Sequence, residues 1–226
     1  MNERGKSLRV LFFDTFAFTA CFALWMLNGT LVTHLVETRT LAFDAVQVGV
    51  LIGVPVLTGS LLRLPVGLLA DRYGGRRVFV GVLLLSALGA VLLSGAQTFG
   101  GFLLGSLCFG LAGTSFAVGV AHTAEWFPRQ RTGTAPGVFG AGNAGSALTA
   151  VFAPLLLQRF TRDGQNPEGW RALPLVLAAG LAAIAVAFFL LVPEDRAAAR
   201  RKSSLGRDLE VLRSVRVWRF GLYYFL

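Results

Sequence analysis

The feature that most restricts how this chain folds is a series of six apolar runs, about residues 10–36, 46–70, 78–96, 99–124, 135–158 and 172–192. Each holds roughly 20 or more mostly apolar residues, enough for a helix to cross a hydrocarbon layer about 30 Å thick. No water reaches backbone N–H and C=O groups inside such a layer, so each run is expected to be helical along its length. Composition agrees, with 54% hydrophobic and only 15% charged residues and a mean hydropathy of +0.65, far from the balance of a water-soluble domain. The fold class expected is all-α, an integral membrane bundle of six helices surrounded by lipid bilayer.

A basic stretch over 193–217 follows the sixth run, and a seventh apolar segment opens at Trp218. The residues from 218 to 226 would rise only about 14 Å as a helix, too little to span. The expected organisation is therefore a six-helix bundle over 1–192, a cytoplasmic linker over 193–217 and the start of a seventh helix over 218–226, cut inside that helix. Met1 reads as the true start, because the first run is too long for a signal peptide and no small-residue cleavage pattern follows it.

Charge orients the bundle. The N-terminus, the loops between spans 2 and 3 and between spans 4 and 5, and the stretch after span 6 together hold fifteen Lys and Arg residues, against four on the opposite side. That asymmetry is the positive-inside pattern, which places the N-terminus in the cytoplasm of a multi-pass protein of the cell's inner (plasma) membrane. It also accounts for the net charge of +9 without a nucleic-acid partner.

Arg63 breaks the pattern, since it stands inside span 2 several residues before the charged cluster at Asp71. On a helical wheel Gly59, Ser60, Arg63 and Gly67 share one sector of about 100°, while Leu57, Leu61, Leu64 and Leu68 form the opposite stripe. Small residues mark close helix contacts in a bilayer, so Arg63 is expected to face the protein. Its depth of roughly 10–12 Å from the helix end still allows partial snorkelling. Two readings stand: an arginine that caps carbonyls of a neighbouring helix, and one that lines a path for an anion.

Span 4 carries Gly101, Gly105, Cys108, Ala112, Ser115 and Gly119 on one face, with Phe116 as the bulky residue beside them. Span 5 is richer still, with glycines at 133, 137, 140, 142 and 145 around nearly its whole circumference and Asn143 as its strongly polar side chain. Tight packing explains such a helix, and so does a cavity lined by bare backbone and one amide. Cys21 and Cys108 read as small apolar fillers. His34 and His122 lack partners at metal-ligand spacing and read as interfacial or packing groups, so no metal or cofactor is expected. No nucleophile-and-base pair or phosphate loop appears either, because GAGNAG lies within a span with no strand before it. The chain is not expected to be an enzyme.

The loop after span 2, Gly67-Leu-Leu-Ala-Asp71-Arg72-Tyr-Gly74-Gly-Arg76-Arg77, matches GxxxDRxGxRR and resembles the loop motif between helices 2 and 3 of the major facilitator superfamily. That resemblance implies a twelve-helix fold of two six-helix halves with substrate held between them, this chain being the N-terminal half with a C-terminal half of the same transporter as its partner. It also implies that Gly67, Asp71, Arg72, Gly74, Arg76 and Arg77 act as a latch on the inner gate. Gly137-Val-Phe-Gly140-Ala-Gly142-Asn143-Ala-Gly145 and the segment SFAVGVAHTAEWFP over 115–128 further resemble helices 5 and 4 of the nitrate/nitrite porter family.

The second resemblance implies transport of nitrate and/or nitrite by alternating access. The anion would be gripped by Arg63 and by a second arginine in helix 8, beyond the chain's end. Asn143, Phe116, Tyr224 and the backbone at Gly140 and Gly142 would complete this half of the site. Nitrate is planar and delocalised, and a guanidinium is a planar fork of donors, so the chemistry suits the role. A carrier of another small anion, such as a carboxylate or phosphate ester, is the alternative, and the helix-5 signature favours nitrate. Coupling to protons or to a counter-transported anion stays open. Asp14 is the acidic residue well inside a span and reads as a shallow latch or cap, and Glu125 reads as interfacial, so the visible spans offer no clear proton carrier.

Overall fold

A computed structural model describes residues 3–128 and 133–194, together with the isolated positions 214, 215, 219 and 223. Arg129, Arg131, most of the basic stretch and Tyr224 lie outside the described residues. The described chain is all-helical, with six helices long and apolar enough to cross a membrane: Glu3–Glu37, Ala45–Tyr73, Gly75–Ser94, Phe99–Glu125, Thr134–Phe160 and Pro167–Leu191. These are spans 1 to 6, and they coincide with the six apolar runs. One end of the bundle gathers the start of span 1, the loop between spans 2 and 3 and the ends of spans 4 and 6. There Ser7 Oγ donates to the Trp126 carbonyl (2.7 Å) and Arg9 to that of Leu191 (3.4 Å).

Local chemistry sets the turns. Asp44 and Gln47 form a capping box at the start of span 2, satisfying two otherwise orphaned N–H groups. Thr98 caps span 4 by accepting from the Gly101 N–H. Spans 2 and 3 are separated by the single residue Gly74 at φ 92°, a backbone conformation that side chains with a Cβ rarely adopt.

Two spans are not continuous α-helix. Span 4 passes through a 3-10 segment at Leu111–Thr114 and span 5 through another at Ala141–Asn143. Sequence periodicity did not signal either, because a 3-10 segment keeps nearly the same side-chain facing over one turn.

Span 1 touches every other span. Its buried stripe runs Val10, Asp14, Ala17, Cys21, Leu24, Asn28, Leu31, Leu35, the spacing of one helix face. Glycines let the partners come close. A Cβ on Gly145 would sit 2.1 Å from the Thr19 carbonyl oxygen, and one on Gly59 2.8 Å from that of Gly110, so spans 1 and 5, and spans 2 and 4, meet backbone to backbone. Outside, Leu57 and Leu61 are 60% and 66% exposed, as the leucine stripe required. Ser60 is exposed as well, so the small-residue face of span 2 is narrower than the wheel suggested.

Proline placement explains one polar contact. Pro55 has no N–H to offer the carbonyl four residues back. That carbonyl, Leu51 O, is taken instead by the Asn28 amide (2.7 Å), whose oxygen accepts from Ser106 Oγ (3.1 Å). One buried asparagine thus ties spans 1, 2 and 4.

Two outcomes follow for thermal melting of the purified protein. Gly145→Ala should cost about 1–3 kcal/mol or abolish folding, because overpacked cores have little room to relax, whereas Gly137→Ala, which meets nothing within 4 Å, should melt unchanged or slightly higher. Asn28→Ala should cost about 1–3 kcal/mol by stranding the Leu51 carbonyl and the Ser106 hydroxyl.

Candidate functional site

Arg63 is half-buried and turns toward span 4, where its Nε donates to the Gly113 carbonyl (3.4 Å) within the 3-10 segment. That uses one of five guanidinium donors. Among the described residues no carboxylate lies within ion-pair distance of it. A permanent cation held inside a span without a counter-charge is a built-in anion attractor.

Aromatic rings surround the same segment. A Cβ on Gly113 would lie 3.3 Å from the Trp25 ring, and Trp25 Nε1 donates to the Pro55 carbonyl (3.3 Å). From Trp25 the contacts pass to Phe22 (5.1 Å between centroids), then Phe18 (4.6 Å), and from Phe18 to Phe116 (5.5 Å) and Phe139 (4.7 Å, stacked). Phe116 lies one turn beyond Gly113 on span 4 and is half-buried. Sequence reading singled out Phe116 and passed over Trp25 and Phe22, which sit in a span where aromatic residues are common and carry no distinguishing pattern.

The helix-5 residues meet this chain of rings at Phe18. Gly142 is buried, and a Cβ there would be 2.3 Å from the Phe18 ring, so its bare face is filled by an aromatic side chain. Gly140 meets nothing within 4 Å. Asn143 is exposed, its carbonyl accepts from Ser146 Oγ (2.7 Å), and its side-chain amide makes no hydrogen bond among the described residues. The link from Arg63 to Asn143 therefore runs through Gly113, the aromatic chain and the 3-10 segment of span 5. Both 3-10 segments face this region, where irregular backbone is tolerated because it lines protein or a cavity and not lipid.

The loop motif is a separate structure. Gly67 is half-buried with nothing within 4 Å of its missing Cβ, and Arg72 and Arg77 are exposed, with the Arg72 guanidinium 5.5 Å from the Tyr73 ring. Arg76 reaches span 6. It donates to the Phe189 carbonyl, lies 4.8 Å over the Phe189 ring and stands 3.8 Å from Glu194. A cation at the carbonyl end of a helix also answers the helix dipole. Asp71 is half-buried.

The polar cluster that sequence reading did not assemble is Asp14 with His122. Asp14 read as a latch or cap and His122 as an interfacial or packing group, each taken singly; the structure joins them as one packed pair, with both side chains 0% exposed and His122 Nδ1 2.9 Å and 3.1 Å from the two Asp14 oxygens. Thr123 Oγ1 donates to the same carboxylate (2.7 Å). The signal was present in the spacing, since Asp14 and Asn28 fall on one stripe of span 1 with Ala17, Cys21 and Leu24, and His122 falls on the Ser115–Gly119 stripe of span 4. Each side chain looked isolated because its partner is 108 residues away.

Among known proteins, the chain is similar over 228 residues, at 39% identity, to the Thermus thermophilus protein named Probable nitrate/nitrite antiporter NarK1, covering 99% of this chain and 51% of that protein. It is 28% identical over 217 residues to the Bacillus subtilis Nitrite extrusion protein (94% of this chain, 51% of that one). It is 35% identical over 168 residues to the Mycobacterium tuberculosis protein named Probable nitrate/nitrite transporter NarK2 (73% and 40%). The chain spans about half the length of the curated relatives it matches. Residues 15–226 match the family model described as Major Facilitator Superfamily. With six helices long and apolar enough to cross a membrane among its described residues, and that match over nearly its whole length, the chain belongs to the Major Facilitator Superfamily of multi-pass membrane transporters.

Proposed function

We propose that this chain is the N-terminal half of a nitrate/nitrite transporter, with Arg63 as the principal anion-binding group of its half. The observation that carries the reading is the Arg63 guanidinium, inside span 2 without a carboxylate in ion-pair reach among the described residues and anchored by one donor to Gly113. Four donors are left for an anion, and Trp25 and Phe116 flank the same backbone segment. The names of the relatives supply the substrate class.

A planar anion seats on a planar fork through parallel charge-assisted hydrogen bonds, with ring faces restricting it to that plane. Asn143 offers an amide from the opposite helix, and the open space at Gly140 leaves its backbone approachable. Tyr224, at the start of helix 7, adds a further group from this chain, and a helix-8 arginine belongs to the partner half. Splitting the positive charge between two halves that rock against one another lets either opening loosen the grip, the requirement of alternating access. Bundle residues 1–192, linker 193–217 and the helix start at 218–226 complete the arrangement. The N-terminus and the loop motif lie on the cytoplasmic side of the inner membrane, where Asp71, Arg72, Arg76 and Arg77 latch the inner gate.

The test uses the whole protein, as its reading frame encodes it, in liposomes preloaded with nitrite and offered labelled nitrate. Arg63→Lys should lower exchange by about tenfold to a hundredfold, the loss of one charge-assisted hydrogen bond, because an ammonium keeps the charge but not the fork. Exchange at the wild-type rate in the Lys variant would sink the bidentate grip. Competition by a carboxylate or a phosphate ester, with no response to nitrate, would instead identify a carrier of that other anion. For topology, a thiol reagent that cannot cross membranes should label a cysteine placed at Arg4 from the cytoplasmic face, and labelling from outside would reverse the orientation.

A further inference from the structure

The fully enclosed Asp14–His122–Thr123 cluster is not used by the anion site described above. Four spans meet at it. Asp14 comes from span 1, and His122 and Thr123 from span 4. Gly75, the first residue of span 3, lies against the His122 side chain, so that a Cβ there would be 2.6–2.8 Å from its Cβ, Cδ2 and Cγ. The Phe188 ring of span 6 stands 6.2 Å away at 40°. The absence of a side chain at position 75 is what makes room for the imidazole.

Binding or release of one proton switches this cluster between zero net charge, as imidazolium and carboxylate, and one negative charge, as neutral imidazole and carboxylate. Within an enclosed bundle that change is weakly screened and acts on whatever packs against it. What packs against it is the loop motif. Gly75 touches His122, and its neighbour Arg76 holds the end of span 6 through the Phe189 carbonyl, the Phe189 ring and Glu194. Other charged groups at this end are Glu3, Arg4, Lys6 and Arg9 on span 1, Asp71 closing span 2 and Glu125 closing span 4, with Lys6 paired to Glu3. Arg9 is engaged with the Leu191 carbonyl, while Arg72 and Arg77 are exposed. Span 5 presents no charged side chain at this end among its described residues.

We propose that Asp14 and His122 form a proton-binding site whose occupancy is linked to the conformation of the loop Asp71–Arg77, so that proton movement drives transport through this half. The inference rests on the transport reading above. The proton is taken from water on one side of the membrane, held by the imidazole as imidazolium while its Nδ1–H stays on the Asp14 carboxylate, and returned to water on the other side; no further reactant enters. Linkage is reciprocal: if loop position alters proton affinity, proton binding shifts loop position to the same degree.

Two measurements on the whole protein test it. In liposomes, the wild type should both exchange nitrate for nitrite at equal pH and accumulate nitrate when the outside is made acidic. The double variant Asp14→Asn with His122→Gln, which retains polar groups of similar size at both positions, should keep exchange while losing acid-driven accumulation by about tenfold or more. Accumulation unchanged in the double variant overturns the proposal, and so does a wild type that exchanges but ignores the pH gradient. Absence of exchange by the wild type at any pH overturns the nitrate reading itself. Independently of transport, the His122 ring nitrogens, isotopically labelled and assigned by their loss in His122→Gln, should change protonation between about pH 5 and about pH 9 in NMR spectra. A constant charge state across that range overturns the proton site even where transport survives.

Discussion

Everything in this bundle is assembled on one stripe of span 1. From Val10 to Leu35 the stripe is buried without a break, and all five other spans touch that helix. In lipid there is little hydrophobic force pressing helices together, so contact must come from close packing and from polar groups that find partners inside. Span 1 uses both. Its backbone lies directly against Gly145 of span 5. Its two buried polar side chains, Asp14 near one end and Asn28 near the other, join it to span 4, and Asn28 also takes the carbonyl that Pro55 leaves open in span 2.

The glycines of spans 4 and 5 acquire distinct meanings on this frame. Gly59, Gly110 and Gly113 bring spans 2 and 4 together and thereby put the Arg63 guanidinium on the Gly113 carbonyl. Gly142 and Gly145 seat span 5 on Phe18 and Thr19, whereas Gly137 and Gly140 face open space. A glycine-rich helix is thus half packing surface and half bare wall. Only the bare half is available to line a path for a solute.

The loop motif and the buried Asp14–His122 pair lie together at one end of the bundle, apart from the Arg63–Gly113 contact. Gly75 connects them by contact. The proposed anion site at Arg63 and the proposed proton site beneath the loop would be the two elements a coupled carrier needs, provided that the packing between them transmits a change of charge as a change of position.

Length and apolarity of the runs determined the six spans and the all-α class, because a dry hydrocarbon layer leaves a backbone few options. The loop motif and the helix-5 pattern carried the superfamily and the resemblance to nitrate/nitrite porters, and the leucine stripe of span 2 predicted the outward face. Tertiary structure alone decided the rest. It put Trp25 and Phe22 beside Gly113, filled the face of Gly142 with Phe18, exposed Ser60, and set His122 against Asp14. Each of these depends on which residues from distant spans meet, and helical periodicity reports the facing of a residue but not the identity of what it faces.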